Sequence, residues 1–324
     1  MKRLIVALLL FAASAELRAQ PLSDSAARTY ADYRQFGPQR AFVVSADGKG
    51  YWWAGMSGTD PERAVEAAVK TCRDNGNSRC SVYAVNDTLL NGRDWKDASP
   101  ATSPMIGRLR GQPWWQNKGP QSAAGLIVWS HGYRSGSDAT SSAPQAWIGQ
   151  FTGAGYDLYR FDREWIRDWA GDATQLTDAV RQAKAMGYRR VLLAGQSAGA
   201  WVSLAATMRG APVDGVISIS AAHHGEVKNM RDVSIARSEW QQIVRAIKPG
   251  PRILIVNFEG DAYDVGGRMD DAAAALAQSG VQADIISNPA GLTGHNAGSE
   301  FAFARRFGPC MRAFIEQGSR QPPC

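Results

Sequence analysis

Six short apolar runs lie in the second two-thirds of the chain, at residues 126–130, 156–161, 191–194, 216–219, 253–258 and 283–286. Stretches of helical period separate several of them. Leu176, Ala179, Val180 and Ala183 share one face, with Asp172 or Thr174 as the expected cap and Gly187 as the stop. Trp147, Ile148 and Phe151 share another after Pro144, and Met269, Ala272, Ala273 and Leu276 a third before Gly280. Short, largely apolar runs of this kind read as strands buried on both faces. Strands alternating with helices predict an α/β architecture, a mostly parallel sheet with helices on both faces. Such sheets bind their ligands beyond the carboxyl ends of the strands.

The junction after the third run carries the chemistry. Gly195-Gln196-Ser197-Ala198-Gly199 follows Val191-Leu192-Leu193-Ala194 directly and precedes a helix-like stretch, residues 200–208. Strand, G-x-S-x-G and helix in that order hold a serine in a sharp, strained turn with its hydroxyl above the sheet edge. A side chain at 195 or 199 would collide where strand and helix meet.

Two further pieces stand where acyl chemistry needs them. His131-Gly132-Tyr133 follows the first run, a position whose loop supplies one backbone N–H to an oxyanion hole. The expected donors are the amides of Ala198 and Tyr133, with Gly132 as the alternative to Tyr133. One lost donor costs on the order of a hundred- to a thousand-fold in turnover. The chain has four histidines, His131, His223, His224 and His295. The order serine, acid, histidine leaves His295, in Gly294-His295-Asn296, as the general base. His223 and His224 read as a polar loop near the site mouth. The orienting acid is expected after the fifth run, in Glu259-Gly260-Asp261-Ala262-Tyr263-Asp264. Asp261 follows the turn glycine and is the first choice, Asp264 the alternative, and Glu259 reads as a strand-end residue.

With Ser130-His131-Gly132, the Gly195–Gly199 pentapeptide, the Asp261 loop and Gly294-His295, the chain from about residue 111 onward resembles serine hydrolases of the α/β-hydrolase superfamily, nearest its small esterases and dienelactone-hydrolase-like members. The resemblance implies the α/β-hydrolase fold, a Ser-His-Asp triad with an acyl-enzyme intermediate, a small-molecule ester or related acyl substrate, and no cofactor or metal. Dienelactone hydrolases carry cysteine at the elbow, so that narrower activity is not implied for a chain with Ser197. Nor does His131-Gly132-Tyr133-Arg134 contain the triple glycine of some esterases and lipases. A peptidase or amidase on the same machinery, and a non-catalytic envelope binding protein with this fold, are the alternatives.

Lys2-Arg3, the apolar residues 4–13 and the small residues that follow read as a secretory signal peptide, residues 1–19, cleaved after Ala19 or alternatively after Ala15. That apolar stretch is too short for a comfortable membrane span. Export suits four cysteines, expected as the local bridges Cys72–Cys80 and Cys310–Cys324, each adding about 2–3 kcal/mol in the chain-entropy picture. Residues 20–110 then form a small α+β module with a connector, and 111–324 the hydrolase domain. In the module, residues 41–44 and 51–54 flank the turn residues Asp47-Gly48-Lys49-Gly50 as a hairpin, a helix starts at Pro61, and 80–85 form a strand. The alternative places these strands on the hydrolase sheet itself. Trp52, Trp53, Trp114 and Trp115 suit a core or an interface better than a sugar-binding platform. The net charge is +6, or +4 once Lys2, Arg3, Arg18 and Glu16 leave with the leader, and the basic residues are scattered, so nucleic-acid binding is not indicated. Oligomeric state is not legible.

Overall fold

The computed structural model describes residues 21–55, 60–98, 103–133, 143–163 and 168–319. The expected signal peptide and Cys324 lie outside the described residues.

The chain begins with α1 (Asp24–Tyr33), β1 (Arg40–Ser45), β2 (Gly50–Ala54), α2 (Pro61–Asp74), β3 (Cys80–Val85) and β4 (Thr88–Leu89). The four strands form their own antiparallel sheet in the order β2-β1-β3-β4. Asp60 caps α2 by accepting from the Arg63 N–H at 2.7 Å, and Pro61 sits at its first turn, where a missing N–H costs nothing. Ala64, Val65, Ala68 and Cys72 then recur on the buried face. The Cys72–Cys80 disulfide ties the end of α2 to the start of β3. Helix α1 was not expected: only Ala26 and Tyr33 of its ten residues are buried, too thin a stripe to read as an amphipathic helix.

This unit is wedged against the rest of the chain. Arg40 is buried between the rings of Tyr33 and Trp115, at 4.5 and 5.1 Å, and donates to the carbonyls of Tyr33 and Arg34 at 3.0 Å each, and to that of Phe36. The Gly37 N–H donates to the Ala146 carbonyl at 2.9 Å. Trp114 and Trp115 are buried, which is the core role, and Trp52 packs on Phe36.

After β5 (Leu109–Gly111) come β6 (Gly125–Ser130), α3 (Gly149–Gly153), β7 (Tyr156–Phe161), α4 (Trp169–Ala185), β8 (Val191–Gln196), α5 (Ala198–Met208), β9 (Gly215–Ile219), α6 (Val233–Ala246), β10 (Arg252–Asn257), α7 (Arg268–Gln278), β11 (Ala283–Ser287) and α8 (Phe301–Gln317). Seven strands form one sheet in the order β11-β10-β9-β8-β6-β7-β5. All pairs are parallel except β5 with β7, where Leu109 faces Phe161 and Gly111 faces Tyr159. Strand β5 straddles the expected boundary between residues 110 and 111.

Period-two alternation divides the core. Val128, Leu193, Val216 and Ile255 join the cluster under α4, α5, α6 and α7, while Ile127, Leu192, Ile217 and Leu254 join the cluster under α3 and α8, which Phe36 and Trp115 complete. One local expectation is corrected. Asp168, not Asp172 or Thr174, caps α4, accepting from the Gly171 N–H at 2.8 Å. Asp172 instead turns inward. Residues 233–246 are α6, whose buried Trp240, Ile243 and Val244 make it part of the helix layer. Cys310 is disulfide-bonded. No helix among the described residues is long and apolar enough to cross a membrane.

Candidate active site

Every candidate side chain lies on the loop that leaves the carboxyl end of a strand: His131 after β6, Ser197 after β8, Asp261 after β10 and His295 after β11. Between β8 and β6 the connections turn to opposite sides of the sheet, which opens the crevice in which this topology places ligands.

The turn at Ser197 is as tight as its glycines suggest. Ser197 has φ 55° and ψ −123°, a region that costs a non-glycine residue on the order of 1–3 kcal/mol. A Cβ at Gly195 would stand 2.5 Å from the Gly199 carbonyl carbon, and one at Gly199 would stand 1.9 Å from the Ser130 carbonyl oxygen. Both obstacles are backbone. The conformation is pinned by the Ser197 N–H donating to the Ile219 carbonyl at 3.0 Å, and by its own carbonyl accepting from Ala222 and Trp201 at 3.2 and 3.1 Å.

His295 Nε2 is 2.8 Å from Ser197 Oγ, and its Nδ1 is 2.8 Å from Asp261 Oδ1. With the carboxylate accepting from Nδ1–H, Nε2 carries the lone pair that faces the hydroxyl. The carboxyl of Asp261 is fully shielded from solvent, and its Oδ1 also accepts from the Tyr263 N–H at 2.9 Å. The Tyr263 ring lies 4.1 Å from the imidazole and covers it. Asp264, the alternative acid, is engaged elsewhere: Oδ1 accepts from Arg268 Nε at 2.8 Å and Oδ2 from Asn257 Nδ2 at 2.6 Å. Its partner Arg268 is buried and anchors the loop to the Ala221 carbonyl. The structure therefore brings Ser197, His295 and Asp261 together and leaves Asp264 as a brace.

Beside the serine, Gly132 presses against the elbow: a Cβ there would stand 3.3 Å from Ser197 Cβ and 2.4 Å from Gln196 Oε1. Ala198 opens α5, so its N–H is one of those with no partner inside the helix. Tyr133, the next residue, is 55% exposed. His131 has a different job. Its Nδ1 is 2.6 Å from the Gly132 carbonyl, and its Nε2 accepts from the Arg163 N–H at 3.4 Å. Burial, then the neighbouring Arg163 charge, push its pKa down to about 4, so it stays neutral.

Two participants carry no sequence signal. Gln196 donates from Nε2 to the His295 carbonyl at 3.3 Å, bridging the nucleophile turn to the base loop, yet it occupies a variable position of the pentapeptide. Arg163 is a buried charge just past β7, where nothing in the local pattern distinguishes it from a surface arginine. Of the remaining histidines, His223 lies against Trp201 and Trp169, its pKa pushed down to about 4 mainly by burial, and His224 pairs with Glu239 at 3.1 Å.

No protein-family model matches the chain, and no curated protein matches it in sequence. Solved structures do match it in shape. A truncated carbohydrate esterase from gut microbiota is 16% identical, with 68% of this chain and 97% of that one aligned and a TM-score of 0.50. A putative dipeptidyl aminopeptidase IV from Bacteroides ovatus is 14% identical, with 73% of this chain and 38% of that one aligned and a TM-score of 0.51. At this identity the likeness establishes architecture alone. The architecture is the α/β-hydrolase fold.

Proposed function

We propose that this protein is an exported serine hydrolase that cleaves a carboxylic ester or related acyl bond of a small molecule. The observation that carries the reading is the pair of 2.8 Å contacts that link Ser197 Oγ, His295 and Asp261 in series. Ser197 Oγ attacks the acyl carbon while His295 Nε2 takes the hydroxyl proton, and the Asp261 carboxylate stabilises the imidazolium. The carbonyl oxygen becomes an oxyanion, for which the amides of Ala198 and Tyr133 are the donors. As the tetrahedral species collapses, the bond to the alcohol breaks and His295 returns the proton to it. Water, deprotonated by the same imidazole, then attacks the acyl-enzyme, releasing the acid and restoring Ser197. The proton that leaves with the alcohol comes from Ser197, the one that restores Ser197 comes from water, and His295 carries both.

Export rests on the leader-like residues 1–19, and the Cys72–Cys80 bridge suits an oxidising compartment. The mature chain would comprise a small unit over 20–110 and the hydrolase unit over 111–324. The test is hydrolysis of short p-nitrophenyl esters, alongside the matching anilides, by purified mature protein. Ser197→Ala and His295→Ala should each remove nearly all turnover, by a factor on the order of a million, because the residues act as a unit. Full ester turnover by Ser197→Ala would end the proposal. Faster cleavage of the anilides than of the esters would move the assignment to an amidase.

A further inference from the structure

We infer that Arg163 is the positioning residue for the oxyanion loop, clamping the two carbonyls that set the direction of the Gly132 and Tyr133 N–H groups. The inference rests on the hydrolase reading in one respect only, the use to which those N–H groups are put.

The side chain of Arg163 is 1% exposed. Its Nη2 donates to the His131 carbonyl and lies 3.5 Å from the Gly132 carbonyl. The Gly132 carbonyl also accepts from His131 Nδ1, which the Arg163 backbone N–H sets in place through Nε2. In a trans peptide the C=O and the following N–H point in opposite directions. A cation that draws back the carbonyls of residues 131 and 132 therefore turns the N–H groups of 132 and 133 the other way. That peptide lies against the nucleophile, since Gly132 has room for no side chain beside Ser197 and Gln196. A carbonyl bonded to a cation is also polarised, which strengthens donation from the N–H of the same peptide.

Stability alone does not account for this arginine. Among the described residues its Nε and Nη1 are buried without hydrogen-bond partners, and its counter-charge, Asp172 Oδ2, stands 3.7 Å away and is likewise unbonded. A buried pair so incompletely satisfied costs more to desolvate than its attraction returns. The bonds it does make are concentrated on the 131–132 backbone. Asp172, delivered by the first turn of α4, compensates the charge without competing for Nη2. A lysine would keep a charge, but on a shorter, flexible stem that does not hold one nitrogen between the two carbonyls as the rigid guanidinium holds Nη2.

The test compares wild type with Arg163→Lys and Arg163→Met in two readouts. The first is amide hydrogen exchange at residues 131–133, with β8 and α5 as internal references. Both variants should exchange at least tenfold faster there while the references hold, and this needs no turnover. The second is ester kinetics: kcat should fall ten- to a hundred-fold in Arg163→Lys with KM little changed, because the oxyanion contact is made only in the transition state. Binding of a trifluoromethyl ketone, which mimics that state, should weaken by the same factor, and binding of the product acid should not. Unchanged exchange at 131–133 in both variants would overturn the inference, as would a loss of product-acid binding as large as the loss of kcat. If wild type fails to turn over any ester, the hydrolase reading falls, and the exchange measurement still decides the clamp.

Discussion

Asp261 and Asp264 are three residues apart, and the structure assigns them opposite consequences when each is changed to asparagine. At Asp261 the shape survives and the charge does not. The carboxylate is 2.8 Å from Nδ1 and shielded from water, so the charge centres of carboxylate and imidazolium lie about 4 Å apart. At an effective dielectric of about 20 their attraction is about 4 kcal/mol, roughly a thousand-fold in rate. Where asparagine turns its NH2 to Nδ1, giving up the bond from the Tyr263 N–H, it favours the tautomer with its proton on Nε2, facing Ser197. Together these place the expected loss in kcat near 10³–10⁴. The folded state should be little affected, because Asp261 Oδ2 is buried without a partner and the variant removes a desolvated charge. Asp264→Asn does the reverse. It removes the counter-charge of the buried Arg268 guanidinium, which keeps the carbonyl acceptors of Ala221 and Tyr263, and should cost about 2 kcal/mol, below the range for a fully buried pair because Asp264 is partly exposed. Its kcat should stay within tenfold of wild type. The assay is p-nitrophenyl acetate turnover at saturation with urea unfolding of the same preparations. A larger kcat loss in Asp264→Asn than in Asp261→Asn would refute the assignment of the acid.

Gly199→Ala should be among the most damaging single-methyl changes in the chain. The new Cβ meets the Ser130 and His131 carbonyls, so α5 must move away from β6, costing about 3 kcal/mol and at least a hundred-fold in kcat by displacement of the nucleophile; melting and turnover measured together check both. Stability should also fall on mild acidification. Below pH 6.5 the unfolded chain protonates an imidazole that buried His131, with its pKa near 4, refuses, so the unfolded state binds more protons and folding free energy drops as pH falls from 6.5 towards 4. Between pH 7 and 5 wild type should lose about 2 kcal/mol more than His131→Gln in urea titrations, and parallel curves would contradict the burial of a neutral imidazole.

The strands of the main sheet and Ser197 were legible because both rest on patterns the backbone cannot disguise, apolar runs and glycines excluded from bearing a Cβ by adjacent main chain, whereas His295 was reached by chain order and elimination among four histidines. The choice between Asp261 and Asp264 was open in the sequence, since it depends on which carboxylate Arg268 takes, a contact across a loop and a helix start. Helix α1 went unread because its packing rests on Tyr33 reaching the Asn86 carbonyl 53 residues away. Arg163 and Gln196 were invisible for a related reason. Their partners are backbone carbonyls, which every residue has, so no neighbouring residue type reports the contact. Helix α6 was not read from the sequence either, since what decides that it packs is the burial of Trp240.

The backbone angle at Ser197 has a consequence for how this protein tolerates change. With φ at 55°, the serine occupies a conformation that glycine enters freely, so Ser197→Gly should melt later than wild type while hydrolysing nothing. Laboratory evolution that rewards heat resistance alone would discard the nucleophile early, and a thermally robust offspring of this chain would be the first to suspect of having gone silent.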